Sequence, residues 1–323
     1  MNYEKRLEVV ELKLQGLSDR EVSEITGVPK TTVNDLMNRR GKVNQEFWVD
    51  FEEKVAAGVY NKIHGPRILT LDIETAPIKA CIWRLFKENI GINQIETDWY
   101  IISWAAKWLH EDEVMYEDKS DSWNNEDDFD LLQNIWKLLD EADIIITQNG
   151  KRFDEKKLNA RFILNGMKPP SSYRHVDTLE IAKRHFGFSS NKLEYMTKKL
   201  CKKYKKDTHE KYSGFLLWKE CLEGNMEAWQ EMQQYNILDV LSLEELYTIL
   251  RPWYKAHPNI NLYYNDEVTR CKCGGESFTQ NGYHYTNTSK FLRLQCNDCG
   301  AEVRDKVNLL PKSKRDSLKM NVI

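Results

Sequence analysis

Two short apolar runs in the middle of the chain limit the folds that it can adopt. Residues 68–73 and 143–147 are mostly apolar, which is typical of strands buried on both faces of a sheet. Three further segments have strand patterns, at 100–104, 114–116 and 174–176. Helical patterns follow these strands or lie between them, at 126–140, 154–165 and 226–249. This order of elements predicts an α/β domain over residues 66–255, with a mixed sheet flanked by helices.

Carboxylates lie where the two apolar runs end. Asp72 and Glu74 close the first run, and residues i and i+2 of a strand point to the same face. Asp154 follows the second run, at the start of a predicted helix. Carboxylate oxygens suit hard cations such as Mg²⁺ or Mn²⁺. Each position alone also has an ordinary interpretation: an exposed acidic strand end for the first pair, and a helix N-cap for Asp154.

A tyrosine and an acid share one face of the last long helix. Tyr235 and Asp239 are four residues apart, and leucines at helical spacing lie on or beside that face. The face is therefore predicted to point towards the protein. A buried acid needs a partner, for which a metal ion is a natural candidate. A Tyr–Asp pair that bridges helix and sheet is the structural alternative.

The three motifs together resemble those of the DEDDy 3′–5′ exonucleases, the group that includes the proofreading domains of family B DNA polymerases. They match the three exonuclease motifs in order: Asp72-x-Glu74, Asn149-x-x-x-Phe153-Asp154 and Tyr235-x-x-x-Asp239. Over residues 66–252 the chain is most similar to stand-alone, phage-type ribonuclease H-like exonucleases. Shared stretches include DIETAP and SNKLEYM.

The resemblance implies a ribonuclease H-like fold and a specific chemistry. The expected enzyme removes nucleoside 5′-monophosphates from the 3′ end of nucleic acid, with single-stranded DNA as the expected substrate. Two divalent cations, Mg²⁺ or Mn²⁺, would lie about 3.5–4 Å apart. Asp72 would bridge both cations, Glu74 and Asp239 would complete the ligands of the first, and Asp154 would hold the second. Tyr235 would orient the attacking water.

Four of the seven cysteines form two close pairs near the C-terminus: Cys271, Cys273, Cys296 and Cys299. In a reducing compartment this pattern favours a metal site over disulfides. Four thiolates favour a tetrahedral structural Zn²⁺, so a small β zinc-ribbon module is predicted over residues 268–305. The first pair is C-x-C rather than the usual C-x-x-C. An iron–sulfur site and redox pairs are the alternatives.

Residues 1–42 predict a small all-α domain, followed by a linker over 43–65. Ser18 and Glu21 form a capping-box pattern that opens a second helix, and Gly27 lies at the turn to a third. This spacing resembles the DNA-binding helix-turn-helix of resolvases and small regulators, which implies that the third helix enters a major groove. The candidate DNA contacts are Lys30, Thr31, Thr32, Arg39 and Arg40. A helical bundle that binds no DNA is the alternative.

Two further features bear on nucleic-acid binding. In the predicted catalytic domain, Asn149 would contact the strand near its 3′ end, although a turn-forming role is the alternative. Residues 268–323, which include a basic tail over 306–323, carry ten Lys and Arg against five Asp and Glu. That excess favours a polyanionic partner, and a solvated basic surface is the alternative.

Composition gives an expectation about location. No stretch of 18 apolar residues occurs, and the N-terminus is charged throughout, so a cytoplasmic protein is expected.

Two other functions remain open at this point. The chain would also suit a trans-acting proofreading subunit of a separate DNA polymerase, or a DNA-binding regulator with a vestigial nuclease fold. The complete set of motif residues argues against the second.

Overall fold

The computed structural model describes residues 1–14, 17–56, 65–204, 211–264 and 266–320. Residues 57–64 of the predicted linker and 321–323 of the predicted tail lie outside the described residues. The chain forms two compact units. One comprises residues 1–66 with 259–276, and the other comprises residues 67–258 with 277–323.

Four helices form the N-terminal part of the first unit: α1 (Tyr3–Leu14), α2 (Asp19–Thr26), α3 (Lys30–Met37) and α4 (Lys42–Ala56). The predicted capping box opens α2, since the Ser18 hydroxyl accepts the Glu21 N–H and the Glu21 carboxylate accepts the Ser18 N–H. Gly27, with a φ of +69°, ends that helix in the left-handed conformation that glycine tolerates. The helix α4 begins at the last residue of the predicted helical domain and continues into the segment predicted as a linker, and it packs Phe47 and Trp48 into the core of α1–α3.

A five-stranded mixed sheet organises the second unit. Its members are β1 (Ile68–Thr75), β4 (Ile101–Trp108), β5 (Met115–Asp118), β6 (Ile144–Thr147) and β7 (Arg174–Asp177). Their order is β5-β4-β1-β6-β7; β1, β6 and β7 run parallel, while β4 and β5 are antiparallel to their neighbours. The mixed sheet is the one predicted from the apolar runs. Between β1 and β4 the chain forms a small ribbon that the sequence patterns did not predict: β2 (Lys79–Ala80) paired with β3 (Ile95–Thr97).

Within the described residues, six α-helices accompany the sheet: α5 (Phe129–Glu141), α6 (Asp154–Leu164), α7 (Thr178–His185), α8 (Leu193–Leu200), α9 (Phe215–Leu222) and α10 (Met226–Leu250). The two faces of β1 lie against different helices. Leu69, Leu71 and Ile73 enter a buried cluster with residues of α5 and α6. Because side chains alternate along a strand, the residues between them face the other way, towards α10.

A small antiparallel sheet follows, formed by β8 (Phe278–Tyr285), β9 (Lys290–Cys296) and β10 (Glu302–Arg304) in the order β10-β9-β8. It confirms the predicted small β module. In the predicted basic tail, residues 312–317 form a short helix, α11 (Lys312–Ser317). Among the helices of the described ranges, none combines the length and the apolar character needed to cross a membrane.

Candidate active site

The end of β1 carries the first two predicted acids. Asp72 lies opposite Ala105 of β4, and Glu74 lies opposite Ser103. Both acids are half-buried, on the face of β1 turned away from the Leu71 cluster. Strand alternation therefore directs two carboxylates to one place, as the spacing predicted.

Helix α10 brings its motif to the same face. Tyr235 is half-buried, its phenol is hydrogen-bonded to Asp239, and it lies in the field of Glu74 and Asp72. Burial raises its pKa well above the ordinary range, and these three negative charges raise it further. The hydroxyl of Tyr235 therefore keeps its proton at any ordinary pH. An edge-to-face contact with Trp218, with ring centroids 6.0 Å apart, holds the phenol ring.

The side chain of Asp154 contacts β1 from the start of α6. It is the first residue of α6, and its Oδ1 accepts the main-chain N–H of Ile73 at 3.2 Å. Since Ile73 lies between Asp72 and Glu74, this bond ties the second motif to the first. The N-cap of α6 is Phe153, so the Asp154 side chain serves the strand rather than the cap. Burial raises the pKa of Asp154 to about 7, against the effect of its main-chain hydrogen bonds, and the charge of Asp177 adds to the increase.

The turn before α6 is braced by Asp177. This acid caps α7 by accepting the N–H of Leu179 at 2.9 Å. It also accepts the main-chain N–H of Asn149 at 2.9 Å and that of Lys151 at 3.3 Å. Asn149 has a φ of +69°, a left-handed conformation that asparagine adopts more readily than most residues. The turn-forming interpretation of Asn149 is therefore supported, and a contact with a nucleic-acid strand stays a prediction.

Sequence analysis missed one buried residue of the site. Asn236, fully buried on α10, donates from Nδ2 to Asp72 Oδ2 at 2.6 Å. Its own Oδ1 accepts the hydroxyl of Ser103 at 3.2 Å. The amide therefore links β1, β4 and α10 and fixes the orientation of the Asp72 carboxylate. The only signal in the sequence was its position beside Tyr235, because an amide gives no pattern of its own.

The donor chemistry fits a divalent cation. Asp72, Glu74 and Asp239 all act on the Tyr235 phenol, Asp154 bonds to the main chain between the first two, and Asp154 and Asp239 are buried. Gathering negative charge in a place of low exposure is unfavourable unless a cation compensates it, and oxygen donors are what Mg²⁺ and Mn²⁺ prefer. In the described part of the chain these oxygens do not form a group of three or more within 4.8 Å of one another.

The four predicted cysteines do form such a group. The sulfur atoms of Cys271, Cys273, Cys296 and Cys299 all lie within 4.8 Å of one another. Each pair sits in a tight turn: the N–H of Gly274 donates to the carbonyl of Cys271 at 2.8 Å, and that of Gly300 to the carbonyl of Cys296 at 2.9 Å. Two of the cysteines are buried and two half-buried. The cluster suits a closed structural metal site rather than a catalytic one.

The candidate DNA contacts of the N-terminal domain lie on its surface. Lys30 and Thr31 are exposed at the start of α3, and Thr32 is half-buried. Arg39 forms an ion pair with Glu52 at 2.6 Å, and Arg40 forms one with Asp35 at 3.4 Å. Both pairs are exposed, and exposed pairs contribute little stability.

Comparisons with known proteins locate the fold. No curated protein matches this chain. A solved structure of the family B DNA polymerase from the hyperthermophilic archaeon Pyrobaculum calidifontis is similar over 58% of this chain, with 12% identity and a TM-score of 0.42. The chain spans about a quarter of the length of that polymerase, since 25% of it is covered. The sequence model of the RNase_H superfamily matches residues 69–251, which include Asp72, Glu74, Asp154, Tyr235 and Asp239. Because that match covers more than half of the chain, the protein belongs to the RNase_H superfamily.

Proposed function

We propose that the protein is a metal-dependent 3′–5′ exonuclease that hydrolyses single-stranded DNA to nucleoside 5′-monophosphates. The observation that carries the proposal is the convergence of three sequence motifs on the end of β1. Asp72 and Glu74 belong to the strand, Asp154 bonds to the main chain between them, and Tyr235 reaches them from α10 together with Asp239. The same motifs, in the same order, resemble those of DEDDy exonucleases.

The acids of the site explain why a cation is needed to bind substrate as well as to cleave it. The carboxylates of Asp72, Glu74, Asp154 and Asp239 repel a phosphodiester backbone. When bound, Mg²⁺ or Mn²⁺ would supply a nucleophile at neutral pH and would stabilise negative charge on the leaving oxygen. We assign cation binding to Asp72, Glu74, Asp154 and Asp239.

The remaining groups position the reaction. Tyr235 holds its proton because burial and three nearby carboxylates raise its pKa. It therefore acts as a hydrogen-bonding group that orients water, and not as a general base. Asn236 keeps the Asp72 carboxylate in one orientation through its 2.6 Å bond. Asn149 remains our candidate for a contact near the 3′ end of the strand.

The terminal modules are assigned supporting roles. We propose that the cysteine cluster holds one structural Zn²⁺, because its four sulfur donors lie within 4.8 Å of one another. We propose that the N-terminal helices bind nucleic acid through α3. A contact with a separate DNA polymerase stays a prediction.

The test is digestion of DNA and RNA oligomers carrying a label at either end, with Mg²⁺ or Mn²⁺. With a 5′ label, we expect a ladder that shortens one nucleotide at a time. With a 3′ label, the first product should be a labelled mononucleotide, and EDTA should stop both reactions. The matched variants are Asp72→Asn, which should be inactive, and Asp130→Asn, which removes an exposed carboxylate of α5 and should be fully active. Failure of the cation-loaded protein to shorten any oligomer from its 3′ end would refute the proposal.

A further inference from the structure

The ribbon between β1 and β4 leaves the sheet at the end where the acids lie. It begins two residues after Glu74, and the Ala76 N–H bonds to the carbonyl of Tyr100 at 2.9 Å at its base. The strands β2 and β3 then pair, and the Cys81 N–H bonds to the carbonyl of Gln94 at 2.9 Å. The base of the ribbon therefore lies two residues along the chain from Glu74.

The tip of the ribbon displays apolar side chains to solvent. Trp83 is 93% exposed, Leu85 82%, Phe86 81% and Ile92 90%. Single exposed apolar residues are normal on a protein surface, but a group of large ones within ten residues marks an interaction surface. Two of the four are aromatic, and they stand on either side of a leucine in the sequence.

The tip is an ordered turn and not a loose loop. The carboxylate of Glu88 accepts the main-chain N–H of Trp83 at 3.0 Å and that of Arg84 at 2.9 Å. These bonds hold the pKa of Glu88 below its usual value, with the Arg84 N–H the larger cause. Gln94 braces the same carboxylate at 3.1 Å. The bonds involve the main chain of Trp83, so its indole ring is left for another contact.

The charges of the ribbon indicate what the contact is. At the tip, residues 83–92, the chain carries Arg84 and Lys87, and the single acid of this stretch is Glu88; the acids of the strand end, Glu96 and Asp98, lie at the base of the ribbon. Because the Glu88 carboxylate is engaged by main-chain N–H groups of the turn, Arg84 and Lys87 are the charges that alternate in sequence with the exposed rings of Trp83 and Phe86. Aromatic faces interspersed with positive charge are the combination that binds single-stranded nucleic acid, with bases on the rings and phosphates on the cations.

We propose that the ribbon is a stacking platform for the single strand whose 3′ end enters the site, with Trp83 and Phe86 stacking on bases upstream of that end. The proposal rests on the proposed function for the direction of the strand. Trp83 is the seventh residue after Ala76, which limits the reach from the base of the ribbon to about 25 Å. At about 3.4 Å per stacked nucleotide, the contacted bases lie within roughly seven nucleotides of the site.

The experiment compares Trp83→Leu with Trp83→Phe. Leucine preserves an apolar side chain but has no aromatic face, whereas phenylalanine preserves the face. Binding of fluorescent single-stranded oligomers of four and twenty nucleotides is measured by anisotropy. The Asp72→Asn background, with Mg²⁺ present, prevents cleavage during the titration. Trp253→Leu is the control, because Trp253 is 64% exposed and lies outside the ribbon.

The proposal predicts different Kd values for the variants. Trp83→Leu should raise the Kd for the long oligomer about five- to 150-fold, the range for loss of one base–aromatic contact. The Kd for the four-nucleotide oligomer should stay near its original value, and Trp83→Phe and Trp253→Leu should bind both oligomers much as the unsubstituted protein does. The salt dependence should be unchanged in Trp83→Leu. It should weaken in Lys87→Ala, since a phosphate contact contributes a slope of about −0.7 for single strands.

Two results would overturn the proposal. If Trp83→Leu binds the long oligomer as tightly as the unsubstituted protein, the ribbon does not contact the strand. Its exposed apolar residues would then suit a protein partner. If Trp83→Leu and Trp83→Phe weaken binding of both oligomers equally and also lower the Tm, Trp83 has a structural role. Neither result depends on cleavage. Absence of 3′–5′ digestion by the unsubstituted protein would instead contradict the proposed function.

Discussion

Replacing Asn236 tests whether the proposed site depends on the orientation of Asp72. The amide bonds to Asp72 Oδ2 at 2.6 Å and to the Ser103 hydroxyl at 3.2 Å, and its residue is fully buried. Asn236→Ala removes the donor to the carboxylate while leaving Tyr235 and Asp239 in place on the same helix. The carboxylate of Asp72 then rotates more freely.

The size of the effect follows from the kind of hydrogen bond lost. A bond to a charged group contributes about 1.5–3 kcal/mol. If that energy serves to hold Asp72 in its reactive orientation, kcat/KM should fall about 10- to 150-fold. Asn236→Asp should be worse, because it places a second carboxylate where the amide now bonds to Asp72, and like charges at that distance disfavour each other's ionised form.

The assay measures kcat/KM on a single-stranded oligomer, the Mn²⁺ concentration for half-maximal rate, and direct Mn²⁺ binding. The control is Asn134→Ala, whose amide also bonds to a carboxylate, that of Glu117 at 2.8 Å, but on α5 and β5. Both variants should lose a small amount of stability to urea. Only Asn236→Ala should require more Mn²⁺. Equal losses of activity in the two variants, or unchanged Mn²⁺ binding in Asn236→Ala, would refute the orientation argument.

Three further predictions address other parts of the molecule. Asp239→Ala should abolish activity, whereas Tyr235→Phe should lower kcat and leave Mn²⁺ binding intact; equal inactivity without Mn²⁺ binding in both would show that the tyrosine supports the cation site itself. Burial raises the pKa of Asp154 to about 7 from its usual 3.8. The folded, cation-free protein therefore binds the carboxyl proton of Asp154 more tightly than the unfolded chain does. The free energy of unfolding gains from this proton at low pH, and the gain is lost as the pH rises through about 7. In EDTA, Asp154→Asn should therefore raise the Tm at pH 8 and not at pH 4, and thermal denaturation at both values checks the sign. The purified chain should contain one Zn²⁺ by metal analysis. Cys273→Ser should lower the Zn²⁺ content and make residues 271–299 more susceptible to proteolysis, while activity on short oligomers remains.

Local sequence pattern was sufficient for much of the fold. The apolar runs predicted the buried strands β1 and β6, because a strand covered on both faces needs apolar side chains at consecutive positions. Ser18 and Glu21 predicted the capping box because both partners lie within one helical turn. Alternation along β1 also put Asp72 and Glu74 on one face. In each case the atoms that interact are only a few residues apart in the chain.

The tertiary structure decided which distant side chains meet. Asp72, Asp154 and Asp239 are separated by 82 and 85 residues, and only the strand order and the packing of α10 bring them to one end of β1. The role of Asn236 and the raised pKa of Asp154 depend on that packing. So does the exposure of Trp83, which the sequence alone could equally have placed in the core. The physical reason is that hydrophobic burial is non-directional: it selects apolar residues for the interior, but register, strand order and helix packing determine which polar groups lie together.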